Sequence, residues 1–150
     1  MPVAKIVILN WNGAEHLRRF LPSVVAAAPA GVEVVVADNG STDDSLRVLA
    51  TEFPSVGVLR LDANYGFAGG YNRALKQVEA DYYLLLNSDI ETPEGWLAPI
   101  LDVLEREPDV AVVSPKLISW TDRTEFEYAG ASGGFIDFLG YPFCRGRILF

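Results

Sequence analysis

At 150 residues the chain has the length of a single domain, long enough to bury most of its apolar surface. Half of its residues are hydrophobic, which excludes a disordered chain. Twenty acidic against 12 basic residues give a net charge of −8, the wrong sign for a nucleic-acid partner, which needs a basic face against phosphate. No apolar run approaches the roughly 18 residues that span a bilayer, and the opening residues read as a strand rather than a signal peptide. Peripheral membrane contact stays open. Cys144 is the only cysteine, so there is no internal disulfide or zinc cluster; a reduced thiol in a cytoplasmic protein is the simplest reading.

In chain order, residues 3–9 are β-branched and apolar, a central strand that ends at the turn signal Asn10-Trp11-Asn12-Gly13. A helix follows on the spacing of Leu17, Phe20/Leu21, Val24/Val25 and Ala28, and Pro22 is expected to kink or restart it. His16 reads as a surface position on that helix. Residues 32–37 form a second, Val-rich strand running into Asp38-Asn39-Gly40-Ser41-Thr42-Asp43-Asp44-Ser45, where Ser41 or Thr42 is placed to cap the next helix. Residues 56–61 make a third, shorter strand. Residues 62–70 read as a glycine-rich loop opening a helix over 71–79.

Residues 82–86, Tyr-Tyr-Leu-Leu-Leu, are apolar throughout and read as a fourth strand buried on both faces. The run stops abruptly at Asn87-Ser88-Asp89. That ending suits a metal and phosphate site, although a plain polar strand-to-loop transition is the commoner meaning of a lone Asn-x-Asp. Thr92-Pro93 is the expected start of another helix, halting at Glu107-Pro108, and residues 110–113 are the expected fifth strand. From Lys116 onward the rhythm fails, and residues 125–150 are rich in glycine and aromatics, including Phe126, Tyr128, Phe135, Phe138, Tyr141, Phe143 and Phe150.

Alternating strands and helices predict an α/β fold, a mainly parallel sheet covered on both faces. Neither G-x-G-x-x-G after the first strand nor G-x-x-x-x-G-K-[ST] occurs, which excludes the dinucleotide fingerprint and the P-loop. What remains is a set of polar groups at carboxyl ends of strands: Asn10, Asp38 and Asp89. In a sheet ordered 3-2-1-4, strands one and four flank the switch point where a ligand crevice opens.

Four motifs occur in order: Val7-Ile8-Leu9-Asn10-Trp11-Asn12-Gly13, Ala37-Asp38-Asn39-Gly40-Ser41-Thr42-Asp43, Asn64-Tyr65-Gly66-Phe67-Ala68-Gly69-Gly70-Tyr71-Asn72 and Leu85-Leu86-Asn87-Ser88-Asp89. Together they resemble family 2 glycosyltransferases, in particular the rhamnosyltransferase-like branch, over nearly the whole chain. The resemblance implies a GT-A fold, three α/β/α layers, with a nucleotide-sugar (donor) binding core over residues 1–115. Residues 116–150 would begin the acceptor-side region. It further implies that Asp38 accepts a hydrogen bond from the donor's base and that Asn10 and Trp11 line the nucleotide pocket. Asn64, Gly66 and Asn72 would lie beside the ribose and diphosphate, and Asn87 and Ser88 at the donor's edge. Asp89 matches the last acid of the family's D-x-D motif and would hold Mg²⁺ or Mn²⁺. Such a cation suits an acidic chain, since like charges about 4 Å apart repel by roughly 4 kcal/mol at an effective dielectric near 20, and a bound metal reverses that sign locally.

The implied activity is inverting, metal-assisted transfer of a sugar from a UDP-, dTDP- or GDP-linked donor to an acceptor hydroxyl. The setting would be cell-surface polysaccharide or glycan synthesis, on a glycan or lipid-linked acceptor, in the cytoplasm or peripherally at the inner face of the membrane. The sequence departs from the family pattern at Asn87, which replaces the first acid of D-x-D. The general base of the family belongs to an acidic motif expected beyond residue 150; Asp122, Glu125, Glu127 and Asp137 lack its context. A truncated, donor-binding half is therefore expected, and a non-catalytic nucleotide-sugar-binding fragment is the competing reading. A sugar-phosphate nucleotidyltransferase would need a basic, Gly-rich loop after the first strand, absent here. The aromatics after Glu125 predict self-association. Bland roles stand beside these: Asp38 suits an Asx turn, Asp43 or Asp44 a helix cap, Trp11 the core, and Arg73 a solvated helix position.

Overall fold

The structure, a computed structural model, describes residues 4–128 and 131–145. The expected strand start at Val3 and the aromatic Phe150 lie outside the described residues. The chain divides into two compact units, Met1–Leu97 and Ala98–Phe150.

The first unit runs β1 (Ala4–Asn10), α1 (Ala14–Ala27), β2 (Glu33–Asp38), α2 (Ser45–Glu52), β3 (Gly57–Arg60), α3 (Gly66–Leu75) and β4 (Tyr82–Asn87). The four strands form one parallel sheet ordered β3-β2-β1-β4, the order expected from the sequence. Steps β1 to β2 and β2 to β3 run in one direction along the sheet, and the step to β4 runs back across it. Right-handed crossovers therefore put α1 and α2 on one face and α3 on the other. On the α3 face Val7 and Ala37 pack with Tyr71, Ala74 and Val78. Strand alternation turns Ile6, Ile8 and Val36 to the opposite face. All three are fully buried, as are Leu17, Leu21 and Val24 of α1 and Val48 and Leu49 of α2. Full burial of a Leu or Ile side chain contributes about 1.5–3 kcal/mol, so this layer anchors the strand ends that carry the polar residues.

Several expected boundaries move, each for a physical reason. Pro22 lies inside α1 without ending it; the helix loses only the bond that Pro22, lacking an N–H, cannot give to the Arg18 carbonyl. Helix α2 starts at Ser45, not after Ser41 or Thr42, because Asp43 accepts the Ser45 N–H and Ser41 is used elsewhere. Of the expected loop 62–70 only residues 62–65 are non-helical: α3 begins at Gly66 and ends at Leu75. Glycine is a poor helix former, yet a Cβ on Gly70 would lie 2.9 Å from Leu9 Cδ1 of β1, so a side chain there could enter only by displacing Leu9. Packing overrides propensity.

Strand β4 is not buried on both faces. It pairs with β1 alone at the end of the sheet order, Tyr83 and Leu85 are exposed, and Tyr82, Leu84 and Leu86 are half-buried. Tyr83 instead holds the α3–β4 connection, its hydroxyl donating to Val78 O at 2.9 Å and accepting from Ala80 N at 3.3 Å. An apolar run fixes a strand but not what covers it.

In the second unit, helix α4 is Ala98–Arg106, beginning six residues after Thr92. Gly95 at φ +73° breaks the expected first turn. Pro99 then falls in the first turn of the actual helix, where a missing N–H costs nothing. Residues 110–113 form no strand, and Val112 is 83% exposed; β-propensity without a ladder partner makes no strand. A hairpin of β5 (Gly134–Ile136) and β6 (Pro142–Cys144) stacks Phe135 on Phe143 at 5.5 Å between centroids. Cys144 is a free thiol. Among the described residues no helix is long and apolar enough to cross a membrane.

Candidate functional site

The site is built from the carboxyl ends of β1, β2 and β4. Asn10 and Asp38 are register partners that end β1 and β2, and Leu9 pairs with Asn87, the last residue of β4, which Ser88 follows. Asn10 and Asp38 are almost fully buried. Buried polar groups persist only when bonded, and this pair is: Asn10 Nδ2 donates to Asp38 Oδ1 at 3.1 Å and to Ser41 Oγ at 3.2 Å, and Asp38 Oδ2 accepts the Ser41 N–H at 3.0 Å. Asn10 Oδ1 is buried and receives no hydrogen bond from the described residues. It lies 2.4 Å from where a Cβ of Gly13 would stand, a point 3.7 Å from Ser88 Oγ. Gly13 is required so that this oxygen can sit between the β1 turn and the β4 turn.

The turns after β1 and β2 interlock. Asn12, at φ 51°, points Oδ1 at the Thr42 N–H (2.7 Å) and the Asp43 N–H (3.3 Å), and its own N–H goes to Ser41 Oγ at 2.9 Å. Gly13 N–H donates to Ser45 Oγ at 3.2 Å and Ala14 N–H to Asp43 Oδ2 at 3.0 Å. Asp43 Oδ1 accepts the Ser45 N–H at 2.9 Å. One carboxylate therefore caps the start of both α1 and α2. Partial burial pushes the Asp43 carboxyl up, but hydrogen bonds from Ser45 and Ala14 outweigh it, and the group stays below the usual carboxylate range.

The third segment, Asn64 to Gly70, is tied to β2 through Asn39, which is buried. Asn39 Nδ2 donates to Asn64 Oδ1 and to Gly66 O, each at 3.1 Å, and its Oδ1 accepts the Tyr65 N–H at 3.0 Å. Asn64 Oδ1 also accepts the Gly66 N–H at 2.8 Å. At the switch point the Tyr71 hydroxyl donates to Leu86 O (2.9 Å) and accepts from Leu9 N (3.4 Å), bridging β4 and β1 from α3. Burial raises the pKa of that phenol against the opposing bond from Leu9, so it is fully protonated at neutral pH.

The bonded network thus brings together Asn10, Asp38, Asn64 and Gly66, with Ser88 half-buried beside it. Trp11 is 55% exposed on the β1 turn rather than in the core, and Asn72 is exposed on α3. Asn87 is the exposed last residue of β4, and Asp89 is exposed in the turn beyond it. His16 is exposed on α1, with its ring edge toward Phe20. Arg73 is exposed, and its guanidinium lies over the Tyr65 ring at 3.5 Å from the centroid. Asn12, Asn39, Ser41, Asp43, Ser45 and Tyr71 were not singled out from sequence as site residues. Their only signal was the density of Asn, Ser and Asp in both turns, which turn chemistry alone explains. Among the described residues no group of three or more His, Cys, Asp or Glu could hold a metal. Asp89 belongs to no such group, so a hard cation held there would need phosphate oxygens and water as its other ligands.

A parallel 3-2-1-4 sheet with polar strand ends at its switch point defines a doubly wound α/β domain, and the comparisons place it as GT-A-like. The family model described as Glycosyl transferase family 2 matches residues 5–140. The chain belongs to glycosyl transferase family 2. It is 29% identical over 124 residues to the N-acetylglucosaminyl-diphospho-decaprenol L-rhamnosyltransferase of Mycobacterium tuberculosis, covering 75% of this chain and 40% of that protein. It is 31% identical over 142 residues to human polypeptide N-acetylgalactosaminyltransferase 16, covering 90% of this chain and 25% of that one. Among solved structures, the mannosyltransferase PcManGT from Pyrobaculum calidifontis in complex with GDP-Man and Mn²⁺ shares the fold with a TM-score of 0.63 at 22% identity, over 77% of this chain and 36% of that one. The S. aureus TarS 1-349 structure gives a TM-score of 0.60 at 22% identity, over 77% of this chain and 39% of that one. The chain spans 40% of the length of the rhamnosyltransferase it matches.

Proposed function

We propose that the protein binds a nucleoside-diphosphate sugar in the crevice at the ends of β1, β2 and β4 and serves its transfer, with inversion, to an acceptor hydroxyl. The observation that carries this reading is the buried Asn10–Asp38 pair with its unbonded Asn10 Oδ1. A carboxylate offers about four lone-pair positions, and the protein uses two at Asp38, so the group retains capacity for an N–H of the donor's base. Trp11 supplies an exposed aromatic face beside it, and Asn64, Gly66 and Asn72 flank the ribose and diphosphate. Asn87 and Ser88 close the β4 side.

Asp89 would hold Mg²⁺ or Mn²⁺ together with the donor's phosphates. When bound, such a cation supplies Lewis-acid charge to the leaving diphosphate. This chain's own residues bind and orient the donor: Asp38 fixes the base, and the interlocked turns hold the pocket without reorganisation. The metal assignment draws support from the Mn²⁺ in the Pyrobaculum structure. A lipid-linked glycan acceptor, reached from the cytoplasm at the membrane's inner face, draws it from the decaprenol-linked substrate named for the Mycobacterium relative. Cell-surface polysaccharide synthesis is the matching pathway.

Donor binding without turnover is the second reading, favoured by the acids of the second unit. Asp122 is held by Thr124, whose hydroxyl and N–H lower its pKa, and Asp137 Oδ1 is engaged by the N–H groups of Leu139 and Tyr141. In each, Oδ1 is taken up by hydrogen bonds within its own turn. Titration of UDP, dTDP and GDP by calorimetry, with and without Mn²⁺, followed by an assay of donor hydrolysis, separates the readings. Metal-dependent binding of one nucleotide with turnover supports transfer, the same binding without turnover supports the second reading, and no binding sinks both.

A further inference from the structure

We infer that Asn39, which touches no ligand in this reading, is the positioning residue that holds the Asn64–Gly66 segment in its donor-binding place. The inference rests on the donor-site reading above. All the hydrogen-bonding groups that Asn39 directs at this segment are used within the protein: two donors go to Asn64 Oδ1 and Gly66 O, and one acceptor takes the Tyr65 N–H. Its backbone N–H goes to Asn10 O at 2.8 Å, so the same residue is fixed to the end of β1. A Cβ on Gly70 would meet Asn39 Nδ2 at 3.0 Å, so the backbone of α3 lies close beside the amide. Asn64 and Gly66 are themselves exposed. Tyr65 between them is half-buried, with Arg73 over its ring and its hydroxyl on Asp62, and the polar group beneath fixes the backbone and amide on either side of it. Asn39 therefore couples the base end of the crevice, at Asn10 and Asp38, to the segment placed beside the diphosphate.

The test is Asn39→Asp, which keeps size and the oxygen facing Tyr65 but replaces the two donors by an oxygen set against Asn64 Oδ1 and Gly66 O. UDP, dTDP and GDP are titrated with Mn²⁺ into wild type and variant at pH 7.5 and pH 5. The buried carboxyl stands beside Asp38, with Asp62 bonded to the Tyr65 hydroxyl and Arg73 over the Tyr65 ring as the other charges near the segment. Burial among acceptors raises its pKa, and protonation gives back one O–H donor. The expected result is affinity weaker by about tenfold at pH 7.5, with the ratio to wild type recovering at pH 5. Equal affinity at pH 7.5, or a loss that acid does not relieve, overturns the inference. Should the variant not fold, amide exchange in wild type decides: the Tyr65 N–H is expected to exchange about tenfold or more slower than in an unstructured chain, and exchange at the unstructured rate overturns the inference. Failure of wild type to bind any of the three nucleotides, with Tyr65 protected, removes the donor-site reading itself and the inference with it.

Discussion

Asn10 and Asp38 stand opposite one another in register at the ends of β1 and β2, and the amide of one donates to the carboxylate of the other at 3.1 Å inside the protein. Asp38→Ala removes the partner of one Asn10 Nδ2 hydrogen, the other still going to Ser41 Oγ, and strands the Ser41 N–H. A buried group left without its partner costs about 1–3 kcal/mol, so the variant is expected to unfold at lower urea by that amount at pH 7. An unchanged midpoint would mean that the pair contributes nothing to the fold.

Gly13 is needed for space. Its φ of −111° suits any residue, but a Cβ there would lie 2.4 Å from Asn10 Oδ1. Gly13→Ala must push Asn10 or the turn aside, at a cost of about 1–3 kcal/mol, and should weaken nucleotide binding more than it lowers Tm. Thermal melts and calorimetry on the same preparation check this.

Asp43 ties stability to acid. Its folded pKa lies below the ordinary 3.8, so its contribution is complete above about pH 3.8 and is lost as pH falls through the lower folded value. Asp43→Asn should reduce stability at pH 7 and flatten the dependence below pH 4. Urea midpoints from pH 7 down to pH 2.5 show whether the wild-type and variant curves converge in acid, as expected; parallel curves would contradict the assignment.

Tyr71→Phe removes the hydroxyl bridging Leu9 N and Leu86 O while keeping the ring against Phe67. A loss of about 0.5–1.5 kcal/mol is expected from the bond, with faster amide exchange at Leu9 as the specific signature.

The strands and their polar ends were legible because each rests on local pattern: apolar runs that stop at Asn10, Asp38 and Asn87. The start of α3 was not, because glycines at 66, 69 and 70 signal a loop on local propensity, whereas the helix they form lies close against Leu9 and Asn39. The apolar run of residues 82–86 concealed the exposure of Tyr83 and Leu85, since sequence shows side-chain polarity but not what lies opposite. Asn39 read as half of a tight turn with Gly40, and Gly40 does hold φ +73°. The three bonds of its side chain depend on residues some 25 positions away, beyond any local signal.

Calorimetric titration of UDP, dTDP and GDP with Mn²⁺ into wild type, Asp38→Ala and Asp89→Ala tests the donor site most directly. One nucleotide should bind wild type. Binding should be lost in Asp38→Ala whether or not metal is present, and Asp89→Ala should retain only the metal-independent part. Equal binding by all three proteins, or none by wild type, would contradict a donor site at the ends of β1, β2 and β4.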